Sequence, residues 1–141
     1  MKNTIYIIVV MFLLAQLIQP NKTNPTTNKE LEIQTPKNIK IILKKACYDC
    51  HSNETTWPWY SKIAPLSWTI ASHVNDGRSW VNYSIWNTYT QEEKDKKLKQ
   101  TFRAIYVAMP PSSYITFHQN ANLSSSERKE VRDWIKELGK H

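Results

Sequence analysis

The chain has 141 residues, enough for one domain with short additional segments and a single modest core. Its formal net charge of +7 favours acidic partners or anionic lipid headgroups, and the alternative is a solvated lysine-rich surface. We expect no nucleic-acid partner. Six tryptophans against two glycines suit a small core that encloses a flat apolar cofactor, and the sequence shows neither internal repeats nor a series of strands.

The first segment, residues 1–20, is an apolar leader. Lys2 places a positive charge at its start, and no charged residue follows between Asn3 and Asn21. A run of this length is just long enough to span a bilayer. The residues before Pro20 lack the small-residue pattern of a cleavage site. We therefore predict an uncleaved membrane-anchor helix, with its positive end in the cytoplasm and the rest of the chain outside.

The next segment, residues 21–36, is predicted to be a flexible tether, because it is rich in Asn, Thr, Lys and Pro and has no hydrophobic period. The folded domain is then expected over 37–141. Its first helix is predicted over 38–46. The apolar face of that helix follows the i, i+3, i+4, i+7 spacing and consists of Ile39, Ile42, Leu43 and Ala46.

The motif Cys47-Tyr48-Asp49-Cys50-His51 follows this helix and reads C-x-x-C-H. This spacing is typical of the attachment site of a c-type haem. Two thiols at this separation can each add across a vinyl group on one edge of the porphyrin, and His51 then lies under the iron as its proximal ligand. Cys47 and Cys50 are the only cysteines of the chain. The motif therefore predicts one covalently bound haem c with its iron.

Three other interpretations of the motif remain open. A thioredoxin-like redox pair uses C-x-x-C in a βαβ setting, whereas the residues before Cys47 are predicted to be helical. A structural zinc site would need a second pair of ligands, and His73, His118 and His141 are far apart in the sequence. A plain disulfide would use both cysteines and leave His51 without a role.

Proline and aromatic residues shape the stretch after the motif. Trp57-Pro58-Trp59-Tyr60 lies in a predicted loop over 52–63, because proline disfavours a continuous helix. A second helix is predicted over 65–75, with proline at its start and Gly77 near its end. The stretch 78–87 is aromatic and is expected to be irregular.

Two capping boxes mark the helices of the C-terminal half. Thr90 and Glu93 open a helix predicted to run to about Val107, and Ser124 and Glu127 open the last helix. The apolar face of the last helix consists of Val131, Trp134, Ile135 and Leu138. Together these patterns predict an all-α fold, a cytochrome c-like helical domain around a covalent haem, preceded by the membrane-anchor helix.

A helix break at Ala108-Met109-Pro110-Pro111 supplies the candidate for the sixth iron ligand. The two prolines prevent the helix from continuing, so the thioether of Met109 stands at the start of a stiffened loop. A soft sulfur suits ferrous iron, and we predict Met109 as the distal ligand. The alternative sixth ligands are His73 and His118, and an open sixth position is also an alternative. His118 lies in a predicted loop with Tyr114.

A longer series of residues in the same order carries a family resemblance over most of 46–135. It consists of Cys47–Thr55, Trp57–Tyr60, Ala64-Pro65, Ser67-Trp68, His73-Val74, Gly77-Arg78, Asn82, Ser84, Trp86, Met109-Pro110, Tyr114, His118, Leu123-Ser124 and Trp134. In this series the chain resembles the bacterial haem-binding domain family, small membrane-anchored proteins similar to c-type cytochromes. The resemblance implies a haem cofactor and does not identify a redox partner.

Four residues are candidates to hold the haem propionates or to cover a haem edge: Trp59, Tyr60, Trp68 and Arg78. A guanidinium matches a carboxylate with two hydrogen bonds, and an indole N–H donates one. The alternative is that the tryptophans are core residues and that Arg78 is solvated.

The favoured function is single-haem electron transfer on the periplasmic side of a bacterial cytoplasmic membrane, with redox partner proteins that carry acidic surfaces. This interpretation assigns no catalytic residues and makes the protein an electron carrier rather than an enzyme. The alternative is a haem enzyme or sensor with an open sixth position, peroxidase-like or gas-sensing, which requires polar groups on the distal side. A haem-binding module within a larger complex is a third possibility.

Overall fold

The computed structural model describes residues 1–139, and within them the regular secondary structure is entirely helical. The α-helices are α1 (Lys2–Ala15), α2 (Lys37–Ala46), α3 (Tyr48–His51), α4 (Leu66–Trp80), α5 (Gln91–Val107), α6 (Ser112–Phe117) and α7 (Ser125–Leu138). Short 3-10 helices cover Trp59–Lys62, Tyr83–Thr88 and Gln119–Ala121. The predicted all-α class is therefore confirmed for this part of the chain.

The predicted membrane-anchor helix is wrong. Helix α1 has 14 residues, so it is about 21 Å long, whereas the hydrocarbon core of a bilayer is about 30 Å thick. Among residues 1–139, no helix combines the length and the apolar character needed to cross a membrane.

The apolar run does not continue as helix because the residues after Ala15 bind the rest of the fold. Gln16 Oε1 accepts a hydrogen bond from Ala64 N at 2.9 Å, and Gln16 Nε2 donates to Ala64 O at 3.2 Å. Trp68 Nε1 donates to Ile18 O at 2.7 Å. The end of the leader is thus held at the start of α4.

Residues 21–36 lie against the helices at several points. Ile33 is only 3% exposed, and its N–H donates to Tyr83 O at 2.9 Å. Asn87 N donates to Leu31 O at the same distance, 2.9 Å. The domain boundary at residue 36 remains a prediction.

A buried carboxylate links this segment to the C-x-x-C-H motif. Glu32 is 6% exposed and accepts a hydrogen bond from Tyr48 Oη at 2.9 Å, while Lys40 Nζ forms an ion pair with the same carboxylate. Lys40 Nζ also donates to Tyr48 Oη at 2.7 Å. Burial alone would raise the pKa of Glu32, but the hydrogen bonds from Lys40 and Tyr48 hold that pKa below its ordinary value. Glu32, Lys40 and Tyr48 therefore form one polar network, which links residues 21–36 to helix α2 and to the C-x-x-C-H motif.

We expect Glu32→Gln to lower the free energy of unfolding by roughly 1–3 kcal/mol at neutral pH, because the buried partners lose a charged acceptor. The contribution of a carboxylate with a lowered pKa is fully present above its unfolded-state pKa of about 4.3 and is lost as the pH falls through the folded-state value. The difference between variant and wild type should therefore shrink on acidification.

Urea denaturation of both proteins at about pH 7 and about pH 3 measures this difference. Glu30→Gln is the matched control, since Glu30 is an exposed carboxylate of the same segment, and it should leave stability nearly unchanged. An equal loss in both variants, or a loss that does not depend on pH, would contradict the role of Glu32.

The main core joins α2, α5 and α7. Leu43 of α2 and Val131 of α7 are completely buried, and Trp134 and Ile135 pack in the same cluster, as predicted for the last helix. Leu138, the fourth residue of that predicted face, is 36% exposed and is not part of the cluster. Helix α7 contacts both α2 and α5. This packing leaves α3 and α4 in contact with each other on the side where the motif lies.

Both capping boxes are confirmed. In each, the hydroxyl of the N-cap residue accepts from a backbone N–H while the glutamate accepts from the N-cap backbone, with Thr90 and Glu93 at α5 and Ser124 and Glu127 at α7.

Two predicted boundaries are wrong. Helix α4 does not stop near Gly77 but continues to Trp80, and the stretch around Tyr114 is not a loop but contains α6.

Candidate haem site

A cavity of about 910 Å³ brings together residues from both halves of the chain. Helices α3, α4, α5 and α6 all contribute to its lining. Cys47, Cys50 and His51 line it, and so do Met109 and His118. Its volume lies toward the upper end of the roughly 300–1,000 Å³ range of small-molecule and cofactor sites. The predicted attachment motif and the predicted distal ligand therefore share one cavity.

The imidazole of His51 is held by two backbone carbonyl groups. Its Nδ1 lies 2.9 Å from Gly77 O and 3.1 Å from Val81 O. A carbonyl only accepts hydrogen bonds, so Nδ1 carries the proton and Nε2 keeps its lone pair. Burial lowers the pKa of His51 and outweighs the opposite effect of the two carbonyls, so the ring is neutral at pH 7. This arrangement is typical of a metal-binding histidine, whose second nitrogen is fixed by a hydrogen bond.

Gly77 allows α4 to approach the motif closely. A Cβ atom at this position would lie 2.4 Å from Cys50 O and 3.0 Å from Cys50 Cβ. Only glycine permits such an approach. Gly77 was predicted to end the helix, but it lies inside α4, where a glycine often has a packing role of this kind.

The two cysteines are free thiols that line the cavity. Burial raises the pKa of Cys47 to about 12 and that of Cys50 to about 11. Catalytic redox cysteines have lowered pKa values, so these thiols do not resemble a thioredoxin-like pair. In the part of the chain that the structure describes, no group of three or more His, Cys, Asp or Glu side chains is placed to hold a metal ion.

Met109 stands just beyond α5 with its backbone fixed. Its N–H donates to Ala104 O at 2.8 Å, and its carbonyl accepts from Arg128 Nη1 at 2.7 Å. The side chain is 37% exposed and lines the cavity. Arg128 of α7 thus positions the candidate ligand, a contact that no local sequence pattern indicated.

The alternative ligands also line the cavity but differ in their surroundings. His73 is an exposed residue of α4. His118 is stacked on Tyr114, with ring centroids 4.2 Å apart, and its ring nitrogens lie 3.4 Å from Tyr60 Oη. Tyr114 Oη in turn donates to Asp49 Oδ2 at 2.6 Å. His118 therefore belongs to an aromatic and hydrogen-bonded cluster that joins α6 to the motif.

Of the four residues predicted for the haem edge or the propionates, only Tyr60 is in the cavity lining found within residues 1–139. Trp59 is 74% exposed and packs edge-on against Tyr60. The indole N–H of Trp68 donates its hydrogen bond to Ile18 O in the leader. Their assignment to the haem remains a prediction.

The guanidinium of Arg78 is already engaged by the protein. Its Nε donates to Ser52 O at 2.8 Å, and its Nη2 donates to Asn24 Oδ1 and Thr55 Oγ1, both at 2.8 Å. A third nitrogen, Nη1, lies 3.3 Å from Thr23 O. In this arrangement Arg78 connects residues 21–36 to the segment after the motif.

Comparison with known proteins identifies the family. The model of a family described as "Haem-binding domain" matches residues 10–137. The chain belongs to the haem-binding domain family. It is therefore a haem-binding protein, and the predicted cofactor is confirmed at this level. No curated protein matches this haem-binding domain, and no solved structure does.

The residues of the cavity fit a haem. The donor set combines a neutral histidine whose Nε2 is available, a thioether side chain and two thiols, which are the groups that proteins offer to haem iron and to the porphyrin edge. Apolar side chains such as Ile70, Val74 and Leu123 supply much of the remaining lining. The haem-binding domain thus presents both ligands and an apolar surround at one place.

Proposed function

We propose that this haem-binding domain carries one haem c, bound through Cys47 and Cys50 with His51 as the proximal iron ligand, and that it transfers electrons. One observation carries the proposal: the motif and Met109 line the same cavity, and the carbonyls of Gly77 and Val81 leave Nε2 of His51 available. When bound, the haem iron supplies a one-electron redox couple.

The residues of the chain each contribute a defined part of this function. The thiols of Cys47 and Cys50 would hold the porphyrin edge as thioethers, at the separation set by α3 and by Cys47 as its N-cap residue. Gly77 and Val81 fix the orientation and tautomer of the imidazole, which raises the basicity of Nε2 as a ligand. Because His51 is neutral before it binds, it need not release a proton to become a ligand.

Extraction and spectroscopy of the wild-type protein test the proposal. The full chain, expressed together with a haem-attachment system, should keep its haem stain through acid–acetone extraction and denaturing electrophoresis. The reduced protein should bind carbon monoxide poorly at neutral pH, because two protein ligands occupy the iron. Complete extraction of the colour would overturn the covalent attachment, and ready binding of carbon monoxide would favour a haem enzyme or sensor.

Met109→Ala should open the sixth position of the iron. We expect loss of the weak far-red charge-transfer band of sulfur ligation, binding of carbon monoxide or cyanide, and a lower reduction potential. The fall in potential should be a fraction of the roughly 0.8 V range over which axial ligands tune haem. Absorption spectra and a redox titration measure these changes.

His73→Ala and His118→Ala are the controls for this variant, since both histidines line the same cavity. Neither should remove the far-red band. If the wild-type protein lacks the band and His73→Ala alone opens the site, Met109 only packs against the cavity.

We also propose that the haem-carrying domain works outside the cytoplasm of a bacterium and exchanges electrons with acidic proteins. The C-x-x-C-H motif supports the location, because haem is joined to it on the outer face of the membrane, and the net charge of +7 supports acidic partners. Haem staining of periplasmic and cytoplasmic fractions tests the location. Stain confined to the cytoplasm would contradict it.

A further inference from the structure

The side of α5 that lines the cavity is polar in its middle and apolar toward its end. Lys97, Gln100 and Thr101, at positions i, i+3 and i+4, line the cavity, and Ala104 and Ile105 follow one turn later. The rise from Lys97 to Ile105 is about 12 Å. A haem is divided in the same way into a polar and an apolar part, because its two propionate carboxylates are attached along one edge of an otherwise apolar ring.

Two cationic side chains of α5 line the cavity, one in the polar part of this face and one beside Ala104. Lys97 and Arg103 are the lysine and arginine residues that line the cavity within residues 1–139. Arg103 is exposed, and no hydrogen bond or ion pair joins its guanidinium to another residue of this described range. Its donors are therefore available to a bound anion.

Lys97 is fixed near the proximal histidine. Its Nζ donates to Trp80 O and lies 4.5 Å from the centroid of the Tyr89 ring. The next carbonyl along the chain, that of Val81, accepts from His51 Nδ1. An ammonium has three donors, so the contact with Trp80 leaves two for a ligand.

The other charged side chains of the lining are acidic. Asp49 belongs to the motif and Asp76 to α4, and each would repel a carboxylate placed beside it. Arg78, the cation expected from the sequence, donates to Ser52, Asn24 and Thr55 instead. Positive charge within reach of the cavity is thus concentrated on α5.

We propose that Lys97 and Arg103 bind the two propionate carboxylates of the haem, an inference that rests on the proposed haem binding. A guanidinium accommodates a carboxylate with two parallel hydrogen bonds, and an ammonium adds a point charge. The thioethers to Cys47 and Cys50 would already set the rotation of the ring, and Lys97 and Arg103 would neutralise the charge of its propionate edge.

The test compares haemin with its dimethyl ester, which has the same ring and no carboxylate charge. The haem-free full chain is titrated with each compound and the two affinities are measured by absorption. The wild type should prefer haemin. Lys97→Gln and Arg103→Gln should each reduce this preference by roughly two- to fivefold, as exposed ion pairs do.

The double variant Lys96→Gln/Lys99→Gln is the control. Both residues are exposed on α5 and lie outside the cavity lining found in the described part of the chain. The control lowers the net charge by two units, as does the double variant Lys97→Gln/Arg103→Gln. The control should nevertheless keep the wild-type preference for haemin over its dimethyl ester. In holoprotein, the propionate bending bands of the resonance Raman spectrum should shift in Arg103→Gln and not in the control.

Each result decides the question. An unchanged preference in Arg103→Gln, whose side chain has no hydrogen bond or ion pair to lose among residues 1–139, overturns the proposal even if Lys97→Gln disturbs Trp80. An equal loss in the control also overturns it, because net charge would then be the cause. Equal binding of haemin and its dimethyl ester by the wild type also overturns the propionate contacts, whereas haem binding itself fails only if the protein expressed with a haem-attachment system carries no haem stain.

Discussion

Cys47→Ser combined with Cys50→Ser should give a polypeptide that keeps no haem after acid–acetone extraction or denaturing electrophoresis. A hydroxyl cannot replace the thiol in a thioether, and these are the only two cysteines of the chain. Each single variant should keep one covalent bond and some stain. Haem stain and the mass of the intact protein, which rises by one haem when attachment succeeds, measure the effect.

Ala46→Ser is the control for the double variant. Ala46 lines the cavity beside Cys47, so this change adds the same hydroxyl at the next position without removing a thiol. It should keep its covalent haem. If instead the double-serine protein retains its stain through extraction, attachment through the motif is refuted.

Gly77→Ala should destabilise the folded protein, although it adds only one methyl group to the site. The new Cβ would lie 2.4 Å from Cys50 O, so α4 or the motif must move. Overpacking of this kind costs roughly 1–3 kcal/mol or more, which exceeds the gain of about 1 kcal/mol that alanine gives inside a helix. The shift should also lengthen the hydrogen bond from His51 Nδ1 to Gly77 O and release the imidazole from its fixed orientation.

Urea denaturation of the haem-free protein and the oxidised spectrum of the holoprotein measure the two consequences. Gly139→Ala is the matched control, because a Cβ there would meet only Ile135 O at 3.6 Å, an ordinary contact. It should change neither the stability nor the spectrum. Equal stability of Gly77→Ala and wild type would show that α4 does not depend on this close approach.

Features that depend on a few neighbouring residues could be predicted from the sequence. The cysteine pair with its histidine is a five-residue pattern, and each capping box spans four, as at Thr90 and Glu93. The helical periods of α2 and α7 were equally clear, since their apolar faces cover the core. These patterns depend on the spacing of residues within one helix and not on the tertiary contacts of that helix.

Features that depend on a distant partner were not predictable. The leader stops being helical where Gln16 binds Ala64, 48 positions later. Arg78 is a plausible partner for a propionate until its contact with Asn24, 54 positions earlier, is known. The hydrogen bond between Asp49 and Tyr114 spans 65 positions. In each case a polar side chain had several chemically equivalent partners, and only the packing of the helices selects one.

The carbonyls that hold His51 have a consequence for how the chain is made. They belong to Gly77 and Val81, 26 and 30 residues downstream of the histidine. At a synthesis rate of roughly 5–20 residues per second, the two thiols and the imidazole leave the ribosome on the order of seconds before these carbonyls do. During that interval the nascent motif has no α4 to orient it, so the tautomer of His51 is selected only after Gly77 and Val81 have been translated.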